Sequence, residues 1–198
     1  LRSLRAQGRS VVPLDIRLEA PEARLLLISG PNAGGKSVCL KTVGLLQYLV
    51  QCGIPVPMQE HSRMGLFDKL YIDIGDEQSI EDDLSTYSSH LRNMKQFVRG
   101  CDGRSLLLID EFGGGTEPTI GGAIAQALLH QFNEQGAFGV ITTHYQNLKT
   151  YAEEHTGLIN GAMLYDRHEM RPLFRLSIGR PGSSFAIEIA RKIGLPEE

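Results

Sequence analysis

What is scarce in this sequence of 198 residues narrows its function before any motif does. No apolar run approaches the ~20 residues a bilayer-spanning helix needs, and no secretory signal pattern opens the chain. No membrane role is expected. The formal net charge is −3, so no overall basic field is available to grip a nucleic acid backbone. Local basic stretches exist, "LRSLRAQGR" at the start and "RHEMRPLFR" later, and both read as solvated faces. The cysteines, Cys39, Cys52 and Cys101, are odd in number and share no C-x-x-C spacing. That excludes a disulfide framework and predicts reduced thiols in a cytoplasmic protein. His61, His90, His130, His155 and His168 show no metal-ligand spacing and read as surface or packing residues. There is no internal repeat and no low-complexity segment. The chain starts at Leu1 rather than Met and enters a strand-like pattern almost at once, as expected of a piece of a longer protein.

What is present is enough apolar sequence, 41%, for one well-buried core. "RLLLISG" (24–30), "SLLLIDE" (105–111) and "FGVITTH" (138–144) are short continuous apolar runs, the pattern of parallel strands covered on both faces. "KLYIDIG" (69–75) reads as a further strand. "SVVPLDIRL" (10–18) alternates like an edge strand, with Pro13 arguing against a central place. Helices are predicted over 35–53, 85–98, 119–136 and 183–194, and a hairpin over 158–179. Strands alternating with helices predict an α/β fold, a mostly parallel sheet flanked by helices with an antiparallel edge hairpin.

Within that frame "GPNAGGKS", Gly30 to Ser37, fits G-x-x-x-x-G-K-[ST] between a strand and a helix. Gly30, Gly34 and Gly35 let consecutive N–H groups converge on phosphate oxygens, and the following helix adds its positive end. Lys36 can reach the β and γ phosphates, and the Ser37 hydroxyl can sit on Mg²⁺. Pro31, Asn32 and Ala33 complete the loop, and Val38 follows it. Such a loop serves kinases, GTP switches, transporter motors and ATP-driven clamps alike.

The surroundings discriminate. Asp110 ends an apolar strand, where phosphate-loop enzymes hold Mg²⁺, and Glu111 behind it is placed to polarise a water. His144 follows the next core strand, where a polar side chain can sense the γ-phosphate. "FGGGTEP" (112–118) reads equally as a flexible loop that approaches a partner and as a plain turn before a helix. In "DIGDEQSIEDDLSTYSSH" (73–90), Asp82 and Asp83 read as favourable charges at a helix N-terminus.

Taken together, "GPNAGGKS", "DIGDEQSIEDDLSTYSSHL", "LLLIDEFGGGTEP", "ITTHYQNLKTYA" and "PGSSFAIEIARKIGLP" resemble the MutS superfamily ATPase domain over about residues 10 to 196. They are most similar to its second branch, recombination-suppressing and ribosome-associated, because of "DIGDEQSI…LSTYSSH" and "RPGSSFAIEIA". The resemblance implies one domain over 1–198, a P-loop NTPase of ABC type. It implies Mg²⁺-dependent ATP hydrolysis and a homodimer in which Ser85 of one copy completes the other's site. By the same resemblance Gln78 is the Gln-loop residue and His144 the switch. The adenine would lie near Val11 and Val12 and against Phe174. Ala33 stands where the family often has Thr or Met, which leaves a backbone cradle intact. Clamp, lever and nuclease-like domains are expected outside this chain, and with them any action on branched or mismatched DNA or on stalled ribosomes.

Two other readings stand beside this one. A transporter ATPase subunit is opposed by the short interval between Lys36 and Asp110, and by "LSTYSSH" where transporters carry Leu-Ser-Gly-Gly-Gln. A nucleotide-gated binding module with negligible turnover in isolation has the same motifs, and nothing in the residues separates it from a motor.

Overall fold

Alternation inside the apolar runs decides the layering. In a strand successive side chains face opposite sides, so a run that is apolar throughout must be covered twice. The computed structural model describes residues 6–8, 11–31, 34–75, 83–166, 169 and 171–182, with the backbone alone for 83–86. In strand β1 (Ala23–Ser29), Leu25 and Leu27 join one core while Leu26 and Ile28 join another. Strand β3 (Ser105–Ile109) divides likewise, Leu107 and Ile109 to the first core, Leu106 and Leu108 to the second.

The second core is closed by helix α1 (Lys36–Gln51) through Cys39 and Leu40. Three helices close the first. Helix α2 (Asp83–Gly100) contributes Met94 and Phe97, α3 (Pro118–Glu134) contributes Ala125, Leu129 and Phe132, and α4 (Gln146–Glu154) contributes Leu148, Tyr151 and Ala152. The result is a three-layer sandwich.

The remaining strands are β2 (Lys69–Asp73), β4 (Phe138–Thr142), β5 (Gly157–Asp166) and β6 (Arg171–Ile178). The sheet order is β2-β3-β4-β1-β5-β6. All neighbours are parallel except β5 and β6, the antiparallel edge pair. Because β4 lies between β1 and β3, the loops leaving the C-terminal ends of these three strands emerge side by side. In open α/β sheets that edge is where ligands bind.

The structure corrects one expectation and decides two points that the sequence left open. Residues 11–18 form no strand, and among the described residues the only isolated backbone bridge joins Glu19 to Ala23. The alternation there serves packing instead, because Leu14, Ile16 and Leu18 lie against the α1-side core without a ladder. Residues 146–154, unassigned from the sequence, form the short helix α4. And "FGGGTEP" is a packed turn, not a flexible loop: a Cβ on Gly113 would meet the Tyr145 ring at 2.8 Å and Ala125 at 2.9 Å. The expected helix over 183–194 lies outside the described residues.

Candidate functional site

The phosphate loop begins where β1 runs out. Gly30 has φ of 132° and Gly35 φ of 93°, the second immediately before α1, so both occupy backbone regions that favour glycine. Space enforces the same choice, since a Cβ on Gly35 would sit 2.8 Å from the Phe174 ring. Lys36 is 2% exposed, and its Nζ donates to the Gly30 carbonyl at 2.8 Å. Burial lowers the Lys36 pKa, and the nearby Lys149 adds to that, while Glu111 and Asp110 pull it back up.

The carboxylates enter at the end of β3. The Asp110 N–H donates to the Asp73 carbonyl at 2.8 Å, which keeps Asp110 in line with the sheet. One residue later the backbone breaks away, with Glu111 at φ of 49°. A non-glycine residue there is strained by about 1–3 kcal/mol and must be held by its surroundings. Thr142, fully buried at the end of β4, does the holding. Its hydroxyl donates to Asp110 Oδ1 and accepts from the Glu111 N–H at 2.8 Å. The Phe112 N–H then donates to the Thr142 carbonyl at 2.9 Å.

His144 lies two residues past Thr142. The Thr143 N–H donates to the Ile28 carbonyl at 3.1 Å, which ties this turn to β1 just ahead of the loop. Partial desolvation of the His144 ring lowers its pKa, Lys36 and Lys149 lower it further, and Asp110 opposes them. Its proton affinity is thus governed by the same charges that surround Lys36. Between the loop and the carboxylates lies a cleft of about 240 Å³ lined by Ser37, Lys41, Gly75, His90, Asp110, Glu111, Gly114 and Gly115.

Residues 26–198 match the family described as MutS domain V. The chain belongs to the MutS domain V family. Relatives named Endonuclease MutS2 are 46% identical over 190 residues in Thermomicrobium roseum and 48% identical over 188 residues in Pelotomaculum thermopropionicum. These alignments cover 96% and 95% of this chain and 24% of each relative, so the chain spans about a quarter of the proteins it matches. A third, from Enterococcus faecalis, is 47% identical over 174 residues, or 88% of the chain and 22% of the relative. The mostly parallel six-stranded sheet with its antiparallel edge pair is the P-loop ATPase fold of MutS domain V.

Within this MutS domain, the structure brings together most of the side chains expected from the sequence. Gly30, Gly34, Gly35, Lys36 and Ser37 lie on the turn from β1 into α1, with Pro31 at its start. Val38 is 61% exposed on the first turn of α1. Asp110, Glu111 and Ser37 share one cleft. Phe174 meets the loop at Gly35, with its own φ at 53° and 47% of its surface exposed. Exposed Val12 sits on the unpaired 11–18 stretch, and the contact to the cradle is made by Phe174. Ser85 falls in the first turn of α2, where only the backbone is described. Asn32, Ala33, Gln78, Asp82 and His168 lie outside the described residues.

Several side chains at the site escaped the sequence reading. His90, expected to be a surface or packing residue, lines the cleft and bonds the buried Asp73, whereas His130 and His155 do pack, both on Tyr151. Lys41 shares the cleft. Buried Lys149 donates to the Gly182 carbonyl at 3.0 Å, and the Gly182 N–H donates to Ser29 Oγ at 2.7 Å. This places residue 182 against the base of the loop. Thr142 carried a usable signal, a hydroxyl residue ending an apolar strand beside the acid-bearing one.

The residues present suit a nucleotide and its metal. A buried lysine turned onto a glycine carbonyl, amides freed by left-handed glycines and a hydroxyl facing a carboxylate across a cleft are what a phosphate–Mg²⁺ group needs.

Proposed function

We propose that this MutS domain binds Mg-ATP between its phosphate loop and the Asp110–Glu111 turn and hydrolyses it to ADP and phosphate. One observation carries the reading: Ser37, next to the buried loop lysine, and the Asp110–Glu111 turn line one cleft, reached from the ends of the two strands that flank β4. The loop amides and Lys36 would hold the β and γ phosphates. Ser37 and Asp110 would hold Mg²⁺, which when bound neutralises phosphate charge. Glu111 would orient the attacking water. As the water oxygen bonds to the γ-phosphorus, the bond to the bridging oxygen breaks and leaves ADP. The proton from water passes by Glu111 to the released phosphate. His144, neutral at pH 7 because its pKa is lowered, would sense the γ-phosphate by hydrogen bonding.

In this proposal the helix end carrying Ser85 completes the site of a second copy, so that ATP draws two domains together. The ABC-type pairing then drives a cytoplasmic clamp built from parts of a longer second-branch MutS protein. Branched or mismatched DNA would be the object of that clamp, stalled ribosomes the alternative, and any nuclease step would lie outside this chain. The fourfold greater length of the MutS2 relatives supports such a division of labour.

The test is Glu111→Gln, assayed by equilibrium ATP titration and by phosphate release. Retained ATP affinity with turnover reduced at least about 10²-fold is expected. Turnover at the wild-type rate would remove Glu111 as the water-orienting group. Stoichiometric ATP binding without measurable turnover in the wild type would leave a nucleotide-gated binding module.

A further inference from the structure

Behind the phosphate loop lies a charge that the ATPase reading leaves unused. Lys149, on α4, is 6% exposed, and burial lowers its pKa. It lies near enough to Lys36 and His144 to lower theirs as well. Among the described residues no carboxylate pairs with it, and its Nζ makes one hydrogen bond, donated to the Gly182 carbonyl at 3.0 Å. That carbonyl belongs to a strap, residues 179–182, which leaves β6 and crosses to the base of the loop. The strap is fastened at both ends. At one, the Gly179 N–H donates to the Asn160 carbonyl at 2.7 Å, and Asn160 Nδ2 donates in turn to the Lys149 carbonyl at 2.8 Å. At the other, the Gly182 N–H donates to Ser29 Oγ at 2.7 Å. The Ser29 hydroxyl proton is within reach of the carbonyls of Gly161, at 3.4 Å, and Gly182, at 3.5 Å. Contact there is backbone on backbone: a Cβ on Gly182 would sit 2.9 Å from the Ser29 carbonyl carbon and oxygen and 3.0 Å from the Gly30 nitrogen.

We propose that Lys149 is a positioning residue for nucleotide binding: by holding Gly182 it clamps the strap onto the Ser29–Gly30 peptide and sets how the phosphate loop leaves β1. The proposal rests on the reading of that loop as a nucleotide site and adds a residue to it. A buried ammonium with a single carbonyl partner is costly to keep, and stability alone would favour an apolar side chain there. What the charge contributes is a stronger bond to the carbonyl than a neutral donor makes. Gly30 is the pivot of the loop, with φ of 132° and a carbonyl that accepts from Lys36 Nζ at 2.8 Å. A shift of the Ser29–Gly30 peptide therefore displaces both the start of the loop and the acceptor of its lysine. The carboxylates are held separately, by Thr142 at the ends of β3 and β4. Loss of the clamp thus acts on binding and leaves the hydrolytic step alone. Lys149 touches no phosphate in this scheme; it acts through Gly182 and Ser29.

The experiment compares the intact chain with Lys149→Met, Gly182→Ala and the double variant. Mg-ATP affinity is measured by titration, hydrolysis by single turnover at saturating Mg-ATP, and folding by thermal unfolding without nucleotide. Methionine keeps most of the length of lysine and removes the donor and the charge. Lys149→Met is expected to lose about tenfold in Mg-ATP affinity, the weight of one hydrogen bond to a charged group, with the saturated rate unchanged. Its unfolding temperature should stay level or rise, because a buried charge has gone. Gly182→Ala, which pushes the strap off the loop with Lys149 intact, should show the same split between affinity and rate. The double variant should lose no more affinity than the weaker-binding single one, because both changes release one clamp. A merely structural role would lower the unfolding temperature and the saturated rate together, and that result overturns the proposal. Unchanged affinity in Lys149→Met overturns it too, as do fully additive losses in the double variant. Lys149→Met carries the test alone if Gly182→Ala does not fold. In a wild type that binds without turnover, affinity and unfolding temperature decide. All these outcomes leave the nucleotide site standing, whereas a wild type that binds no Mg-ATP overturns both readings.

Discussion

Thr142 shows how much of the site hangs on one hydroxyl. It has no exposure to solvent, and its single oxygen serves two neighbours, the Asp110 carboxylate and the Glu111 N–H. Glu111 sits at a φ that disfavours any side chain, so the bond to its N–H is part of what holds the strained turn. Thr142→Val keeps the shape and removes both bonds. Losing this part-buried hydrogen bond should cost about 1 kcal/mol, read as a lower urea midpoint. Phosphate release should fall as well, with a higher Mg²⁺ requirement, because Asp110 and Glu111 lose their common reference point. Thr142→Ser should restore both properties nearly to wild type. A valine variant with normal turnover would mean that the turn holds itself.

At the scale of elements, α1 matters most, because its first turn carries Lys36 and Ser37. It lies close to the sheet at Gly44, where an added Cβ would come within 2.8 Å of a Leu108 methyl. Gly44 weakens the helix slightly in isolation and is accepted for that close approach. Gly44→Val should overpack the contact and cost about 1–3 kcal/mol, measured by urea unfolding. The same change should weaken ATP binding, since pushing α1 off the sheet moves the loop that enters it. Unaltered stability with unaltered ATP affinity would show that Leu108 swings aside and that the spacing is not critical. Other elements are secured away from the site. Arg104 pairs with Asp68, and Lys69 with Asp102, where β2 and β3 begin, at the end of the sheet opposite the cleft.

For the molecule as a whole the open matter is pairing. We propose that one domain's cleft is completed by a second copy, and Glu111→Gln is the variant in which an ATP-bound pair would persist. Sedimentation of that variant with and without Mg-ATP should show a shift from monomer to dimer that requires the nucleotide. A monomer under both conditions, with ATP binding confirmed, would place the pairing surface outside this chain. That outcome is compatible with relatives about four times as long. It would leave the catalytic assignments within one copy untouched.

The layering and the cradle were legible in the sequence because both depend on local pattern. A strand that is apolar throughout must be covered on two faces, and a glycine loop between such a strand and a helix has few other uses. Leu25 to Ile28, the turn that leads from Gly30 into the helix at Lys36 and the strand-end position of the Asp110–Glu111 pair could therefore be placed from sequence alone, and so could the edge hairpin. Residues 11–18 misled because alternation reports a buried face and says nothing about hydrogen-bonded neighbours. Helix α4 was missed because its nine residues are too few for helical periodicity to stand out. Contacts across distant positions were closed to sequence reasoning altogether. Thr142 lies 31 residues from Glu111 and His90 lies 17 from Asp73. The strand order, which sets β4 beside β3, brings Thr142 to Glu111, and the packing of α2 over β2 brings His90 to Asp73. Motif and layer belong to short stretches of chain; the walls of the cleft belong to the sheet.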